Sequence, residues 1–348
     1  MARLRSLFLF GLVLFSMVQV PSANALTVSP VKIELSGDAG QMLSGTFDLY
    51  NEQEVPLTFY VSTANFEAEG ETGAPKFVES DEGLASWVHV TEGLEMVTLT
   101  PDQTQTVDYR IEIPSDAVPG GYFAAIFWGT SPEKNEEEKQ LSLGAKVGIL
   151  LLLTVNGEVD TEGGLLEFDT LDSQRVFTEL PVQFYYRFQN LGTNRILPAG
   201  ALDLINSFGV QTDSIAANAD QGNVLPSSIR RFEESWGTLA EAPDGFWDHV
   251  EAQWDNFALG YYKADLALTY DESQESEMAA TSFWVFPWQL LLVLGLAVTF
   301  AFGGLRFLLK RYNAWIIASA LEAQKSPGVK PKLKATSRSK VKFKKKTS

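Results

Sequence analysis

The stretch Phe283 to Leu305, FWVFPWQLLLVLGLAVTFAFGGL, carries no charge, and its reading divides the chain. As a helix it is long enough to cross a hydrocarbon core of roughly 30 Å. Trp284 and Trp288 stand at its front end, where indoles prefer the membrane interface, and Arg306, Lys310 and Arg311 follow at once behind it. Basic residues mark the cytoplasmic flank. The expected topology is therefore single-pass, with the C-terminus inside and everything before Phe283 outside. A buried core helix rarely runs this long without a charge. Pro287 would sit badly within a helix in water but is tolerated in a membrane span.

The N-terminus agrees with that orientation. Residues 1–25 read as a signal peptide: Arg3 and Arg5 form the charged start, Leu7 to Val20 the apolar region, and Ala23-Asn24-Ala25 the small-x-small cleavage pattern after Pro21. The alternative is an uncleaved first membrane helix, and the body is exported either way. The expected localisation is the cell membrane, with an outside body and a basic cytoplasmic tail at 306–348.

Charge follows the same partition. The chain has 27 Lys+Arg and 44 Asp+Glu. Between signal and span lie 12 basic and 43 acidic residues, whereas 13 basic residues and one acid follow from Arg306 onward. A strongly acidic body argues against nucleic acid as a partner, because phosphate demands a basic face. The tail most simply secures topology and meets the anionic headgroups of the lipid bilayer. There are no cysteines, so no disulfide, thiol nucleophile or lipid-anchor cysteine is available.

Leu26 to about Asn156 is a series of short alternating or apolar runs, including LTVSPVKIEL (26–35), GTFDLYN (45–51), LTFYVSTANF (57–66), QTVDYRIEI (105–113), GYFAAIFWGT (121–130) and GAKVGILLLLTV (144–155). Turn chemistry separates them, as at Pro101-Asp102 and Pro119-Gly120-Gly121. Strands at this spacing point to an antiparallel sandwich of immunoglobulin type. Gly148 to Val155 is apolar on both faces and too short to span a membrane as a helix, so a central or interface strand is expected. The charged SPEKNEEEKQ (131–140) reads as a solvated hairpin loop. Lys134 and Lys139 interrupt its carboxylates, and no calcium-loop spacing is present.

A second β-rich stretch follows. The expected fold is an all-β ectodomain of two tandem Ig-like antiparallel sandwiches, at 26–158 and 159–282, with a C-terminal transmembrane α-helix at 283–305. One segment does not fit a plain sandwich. Phe246, Val250, Trp254 and Phe257 recur at helical spacing beside Trp247, after Pro243-Asp244, and predict a short amphipathic helix near 244–258. Its aromatics either pack on the second sandwich or form an exposed platform for glycan or membrane headgroups, which makes Phe246, Trp247, Trp254 and Phe257 candidate contact residues.

Catalytic chemistry is not legible. His89 and His249 are the only histidines, they lie in different expected domains, and neither has a metal-spaced neighbour. No nucleophile elbow, zinc helix or phosphate loop serves the body. No catalytic, cofactor-binding or metal residue is expected.

LTVSPV (26–31), GTFDLYNEQEVPLTFYVSTANF (45–66) and LTPDQTQTVDYRIEIPSDAVPGGYFAAIFW (99–128), with GAKVGILLLLTVNGEV (144–159) after them, carry a resemblance. Their order is similar to the WxL-interacting proteins of Gram-positive cell surfaces. That resemblance implies a peptidoglycan-binding Ig-like domain, a second Ig-like domain for partners, one membrane helix and a basic tail. The first domain also looks like the N-terminal domain of periplasmic pilus chaperones, but without the basic cleft residues that hold a client C-terminus. The second domain matches in position and strand content only. Implied partners are peptidoglycan or surface proteins. The implied role is non-enzymatic binding, or, alternatively, chaperone-like assembly of surface subunits by strand addition.

Overall fold

The computed structural model describes residues 26–78, 80, 82–90, 96–130, 146–238, 242–270 and 276–325. The leader at 1–25, the acidic loop at 131–140 and the tail beyond 325 lie outside the described residues.

The first sandwich contains β1 (Leu26–Ser29), β2 (Lys32–Gly37), β3 (Met42–Asn51), β4 (Leu57–Glu69), β5 (Ala74–Val78), a one-turn α1 (Leu84–Trp87), β6 (Val88–Val90), β7 (Met96–Leu99), β8 (Thr104–Glu112), β9 (Gly120–Gly129) and β10 (Lys146–Val155). One sheet runs β1-β3-β8-β6, and the other β2-β10-β9-β4-β5, with β7 also on β4. The alternation of β3 turns Phe47 and Leu49 inward, where they meet Trp128 of β9 and Ile149, Leu151 and Leu153 of β10. The run expected as one strand at 26–35 divides at Pro30. β1 pairs antiparallel with β3, while β2 pairs parallel with β10 in the opposite sheet. Proline offers no N–H to continue a ladder, so the chain changes sheets there.

The second sandwich contains β11 (Gly163–Thr170), β12 (Val176–Phe177), β13 (Val182–Asn190), β14 (Ala199–Asn206), β15 (Gln211–Ala217), β16 (Ser228–Trp236), α2 (Phe246–Asp255), β17 (Gly260–Thr269) and β18 (Ser276–Val285). A three-stranded sheet, β11-β13-β16, packs on a five-stranded one, β12-β18-β17-β14-β15. Its core is aromatic, with Phe184, Tyr186, Phe188 and Phe283 fully buried.

The expected span needs a new boundary. Phe283 and Val285 belong to β18 and are buried in the second core, Phe283 against Phe184, Trp236 and Tyr262. Burial in that core removes these side chains from water, worth about 1.5–3 kcal/mol each, so they need no lipid to cover them. The helix α3 starts at Trp288 and runs to Lys325. Pro287 sits just before it, and its carbonyl accepts from the N–H of Leu291 at 3.0 Å. A proline at a helix start loses no hydrogen bond, so no tolerance within the membrane is called on. Arg306, Lys310 and Arg311 lie within α3 rather than after it. Trp288 to Glu322 is long and apolar enough to cross a membrane, with a mean hydropathy of 2.0 in its best window.

Each sandwich pins one connection with a buried asparagine at a strand end. Asn51 Nδ2 donates to the carbonyls of Val55, Leu99 and Thr100 at 3.0–3.2 Å, while its Oδ1 accepts from the N–H of Gln53. Asn190 Nδ2 donates to the carbonyls of Asn194 and Val224, and its Oδ1 accepts from the N–H of Gly192. Both residues are fully buried. Asn51→Ala would strand buried carbonyls, at about 1–3 kcal/mol each, so a loss of roughly 2–4 kcal/mol is expected. Chemical denaturation of the detergent-solubilised chain measures it, and an unchanged profile would show that backbone contacts alone hold that connection.

Candidate functional site: the cleft between the sandwiches

β9 and β10 carry apolar residues on both faces. Ile149, Leu151 and Leu153 enter the first core, while Gly148, Leu150 and Leu152 face outward. Cross-strand pairing puts Phe127 beside Gly148, Ala125 beside Leu150 and Phe123 beside Leu152. Phe66 of β4 and Phe77 of β5 extend this outer face, in ring contact with Phe123 and Phe127 respectively. Phe127 lies so closely over Gly148 that an added Cβ there would meet its ring at 2.8 Å. A larger residue at 148 would lift the ring off the sheet.

The second sandwich covers part of this face and is fastened at two places. At the β4–β5 turn, Arg187 grips Glu71 with two hydrogen bonds, Nε to Oε2 at 2.8 Å and Nη2 to Oε1. The N–H of Arg231 also donates to the Glu71 carbonyl at 2.8 Å. At the other side, Glu34 of β2 accepts from Arg195 and from Asn223, each at 3.1 Å. Arg195 also donates to Thr154 Oγ1 at 3.1 Å, and the N–H of Gly121 donates to the Thr193 carbonyl at 2.9 Å. Half-exposed ion pairs are worth about 0–1 kcal/mol each. Burial of a side chain such as Leu152, which is 4% exposed, is worth about 1.5–3 kcal/mol. Apolar contact therefore holds the sandwiches together, and the fastenings set their angle.

Between the fastenings lies an open cleft of about 460 Å³. Leu150, Leu152 and Phe66 form its floor, Val31, Ala74 and Pro75 its sides, and the segment around Asn223 to Arg230 its roof. Two cations, Lys32 and Arg230, line it. Arg230 is set between two glycines from different sandwiches: an added Cβ at Gly73 would lie 2.4 Å from its Cζ, and one at Gly222 2.6 Å. Its Nη1 donates to the Asn223 carbonyl at 2.9 Å, and its Cζ stands 5.1 Å from the Phe232 ring centroid. Arg230 Nε is buried and has no hydrogen-bond partner among the described residues. Burial holds the Arg230 pKa below its ordinary value, partly offset by Tyr186 and Asp220. An apolar floor beside an incompletely bonded guanidinium suits an apolar chain that also carries a negative or carbonyl group.

None of these cleft residues stood out as a site in the sequence. Lys32 and Arg230 come from different sandwiches, and only the fold brings them to one cleft. The one legible signal was the two-faced apolar character of 148–155. The residues singled out from sequence lie elsewhere, at the far end of the second sandwich. Phe246, Trp247 and Trp254 are on α2 and Phe257 follows it, and they are 38%, 67%, 64% and 57% exposed. Gln253 turns inward instead, at 1% exposed, so the aromatics do not form the buried face of the helix. Trp284 and Trp288 are exposed beside the start of α3. His89 is exposed on β6, and His249 Nδ1 lies 2.8 Å from Glu179 Oε2. Among the described residues no cluster of His, Asp and Glu could hold a metal ion.

No family model matches the chain and no curated protein does, so membership of the WxL-interacting family is not shown. The solved structures it resembles include pilus chaperones. One is the class 5 fimbriae chaperone CfaA, at 12% identity and TM-score 0.36, covering 74% of this chain and 99% of that one. Another is the E. coli chaperone DraB, at 11% and 0.31, covering 75% and 96%. A third is the Salmonella enterica SafA pilin in complex with the SafB chaperone, at 9% and 0.34, covering 76% and 99%. Likenesses this distant assign no function.

Both fastening carboxylates titrate low. Hydrogen bonds from Arg187 hold Glu71 below its ordinary value against a smaller opposing effect of burial. Burial pushes Glu34 up, but hydrogen bonds from Lys32 and Asn223 and the charge of Arg195 together outweigh it and leave it low. A carboxyl with a lowered folded pKa stabilises the docked arrangement above its unfolded value, and that contribution is lost as pH falls through the folded value. Small-angle scattering should therefore show the body expanding as pH drops below about 4. Glu34→Gln with Glu71→Gln should give part of that expansion at neutral pH; unchanged scattering would mean the fastenings do not set the angle.

Proposed function

We propose that this is a membrane-anchored, non-enzymatic binding protein whose exported body receives an apolar segment of a surface-protein partner in the cleft between its sandwiches. The observation that carries the reading is the apolar outer face of β9 and β10, left partly uncovered and flanked by Arg230. A monomer gains nothing by leaving Leu150 half-exposed and Val31 open beside a half-buried, incompletely bonded cation, whereas a partner chain would cover both. α3 fits a single-pass anchor, and the acidic body would stand outside the membrane. A glycan ligand is less well served, since the cleft floor offers sugar hydroxyls few polar partners.

A second reading, chaperone-like strand addition, is favoured by one observation. β2 pairs with β10 only from Leu150 to Val155, so Val147 to Ile149 has no strand on that side among the described residues. A client strand entering along β2 could pair its backbone there and lay alternate side chains into the cleft.

The test is site-specific photocrosslinking from Val31 in intact cells, with a reporter at His89 on the opposite sheet as reference. Specific adducts with surface proteins are expected from Val31, and Leu150→Glu should reduce them about tenfold or more by burying a charge in the floor. Equal adducts from both positions, or adducts unaffected by Leu150→Glu, would remove the cleft from the reading. Binding to isolated cell wall that survives Leu150→Glu would turn it towards glycan.

A further inference from the structure

Exposed apolar side chains gather at the end of the second sandwich away from the cleft. Three separate stretches supply them. The first is α2 with the residues after it, where Trp247, Trp254, Phe257 and Leu259 are 44–67% exposed. The second is the tip of the β14–β15 hairpin, where Phe208 is 91% exposed and Val210 57%. The third is the end of β18 and the start of α3, where Trp284, Phe286 and Trp288 are 44–54% exposed. Strand register puts them at one end, because Asn206 of β14 faces Tyr262 of β17, and Gly260 of β17 faces Val285 of β18. Ser207 Oγ, at the hairpin tip, donates to the Tyr261 carbonyl at 2.9 Å and accepts from its N–H.

α2 is fixed to the start of α3. Gln253 Oε1 accepts from the N–H of Leu290 at 2.9 Å, satisfying a first-turn donor that the helix itself cannot. Gln253 Nε2 donates to Gln289 Oε1, and Phe246 touches the Trp288 ring. The polar residue is buried at the joint and the tryptophans are turned out. On a helical projection Val250, Trp254 and Trp247 fall within about 60° of one another, with Glu251, Asp255 and Asp248 on the next face.

We infer that this end of the second sandwich is a lipid-facing collar, in which α2 and the hairpin tip lie in the headgroup region of the same bilayer that α3 crosses. The inference rests on α3 being the span, and geometry then leaves little freedom. From Trp288 to Leu305 the helix is uncharged and rises about 27 Å, close to a hydrocarbon thickness of roughly 30 Å. Trp288 must therefore sit at the membrane surface, and α2 is in contact with Trp288. Only Phe286 and Pro287 separate β18 from α3, so no spacer lifts the body away. Aromatics turned out beside a polar face suit a helix lying in the interface, where indoles prefer to reside, though here the polar face is acidic rather than basic. The acids oppose attraction to anionic lipid, so contact rests on apolar insertion and should be insensitive to salt.

The absence of cysteine makes the test clean, because each introduced cysteine is unique. Full chains carrying Phe257→Cys, Leu296→Cys or Met42→Cys are labelled with an environment-sensitive fluorophore and reconstituted in phosphatidylcholine vesicles. Quenching is then read from nitroxides on the headgroup or deep in the acyl chain. The label at 257 should be quenched by the headgroup nitroxide about threefold more than the label at 42, in low or high salt alike. Trp247→Ser with Trp254→Ser, both at exposed positions, should halve that quenching. Deep quenching at 296 with a water-exposed label at 257 would overturn the collar and leave the span standing. No quenching at 296 would overturn the span and the collar together. A label at 257 that responds to soluble muropeptides but not to lipid would overturn the collar in favour of a glycan platform.

Discussion

A sheet that is apolar on both faces cannot end a molecule in water, and this one constraint orders the rest of the chain. β9 and β10 send one set of side chains into the first core and another, including Leu150, Leu152, Phe123 and Phe127, out of the opposite face. That second face needs a cover. The second sandwich supplies it in part, with Leu152 buried beside Asn223 and Arg230 and the edge at Val31 left 68% exposed. The cleft is thus the unfinished portion of an interdomain contact. Its shape depends on where Glu71 and Glu34 let the second sandwich rest, so the hydrogen bonds that set the angle also set the cleft.

Arg230 shows why such a site is economical. Its long apolar stem and planar head can lie along a hydrophobic wall, and glycines on either side leave room for the head alone. A Cβ at Gly73 or Gly222 would displace the guanidinium. A backbone choice in each sandwich therefore positions a single side chain shared between them.

Much of the fold was legible because strand alternation is a local property. Thr46 to Asn51 alternates as β3 does, and the apolar run at 148–155 announced a strand needing partners on both faces. The helix at Phe246–Asp255 follows the spacing of Phe246, Val250 and Trp254, but that spacing could not say which face is buried. Gln253 went inward because the first turn of α3 needed an acceptor, a demand arising 37 residues further along the chain. The cleft was illegible for the same reason. Arg187 and Glu71 are separated by 116 residues and Arg195 and Glu34 by 161, and nothing local in either sequence marks them as partners. The boundary of the span was misplaced because Phe283 and Val285 are as apolar as the helix that follows. Hydropathy alone does not distinguish a core strand from a membrane segment.

The two-residue junction between β18 and α3 also fixes how far the protein can reach. A domain on a long flexible linker searches a volume, and its effective concentration for a partner falls as the linker lengthens. Here two stacked sandwiches join a helix with almost no slack, so with that helix in a bilayer the cleft would be carried at a constant height, with the second sandwich between it and the membrane. A partner emerging from or resting on the membrane would have to extend across the length of that sandwich to be received. On the proposed reading, partners would be selected by how far from the bilayer they present their apolar segment, as well as by its chemistry.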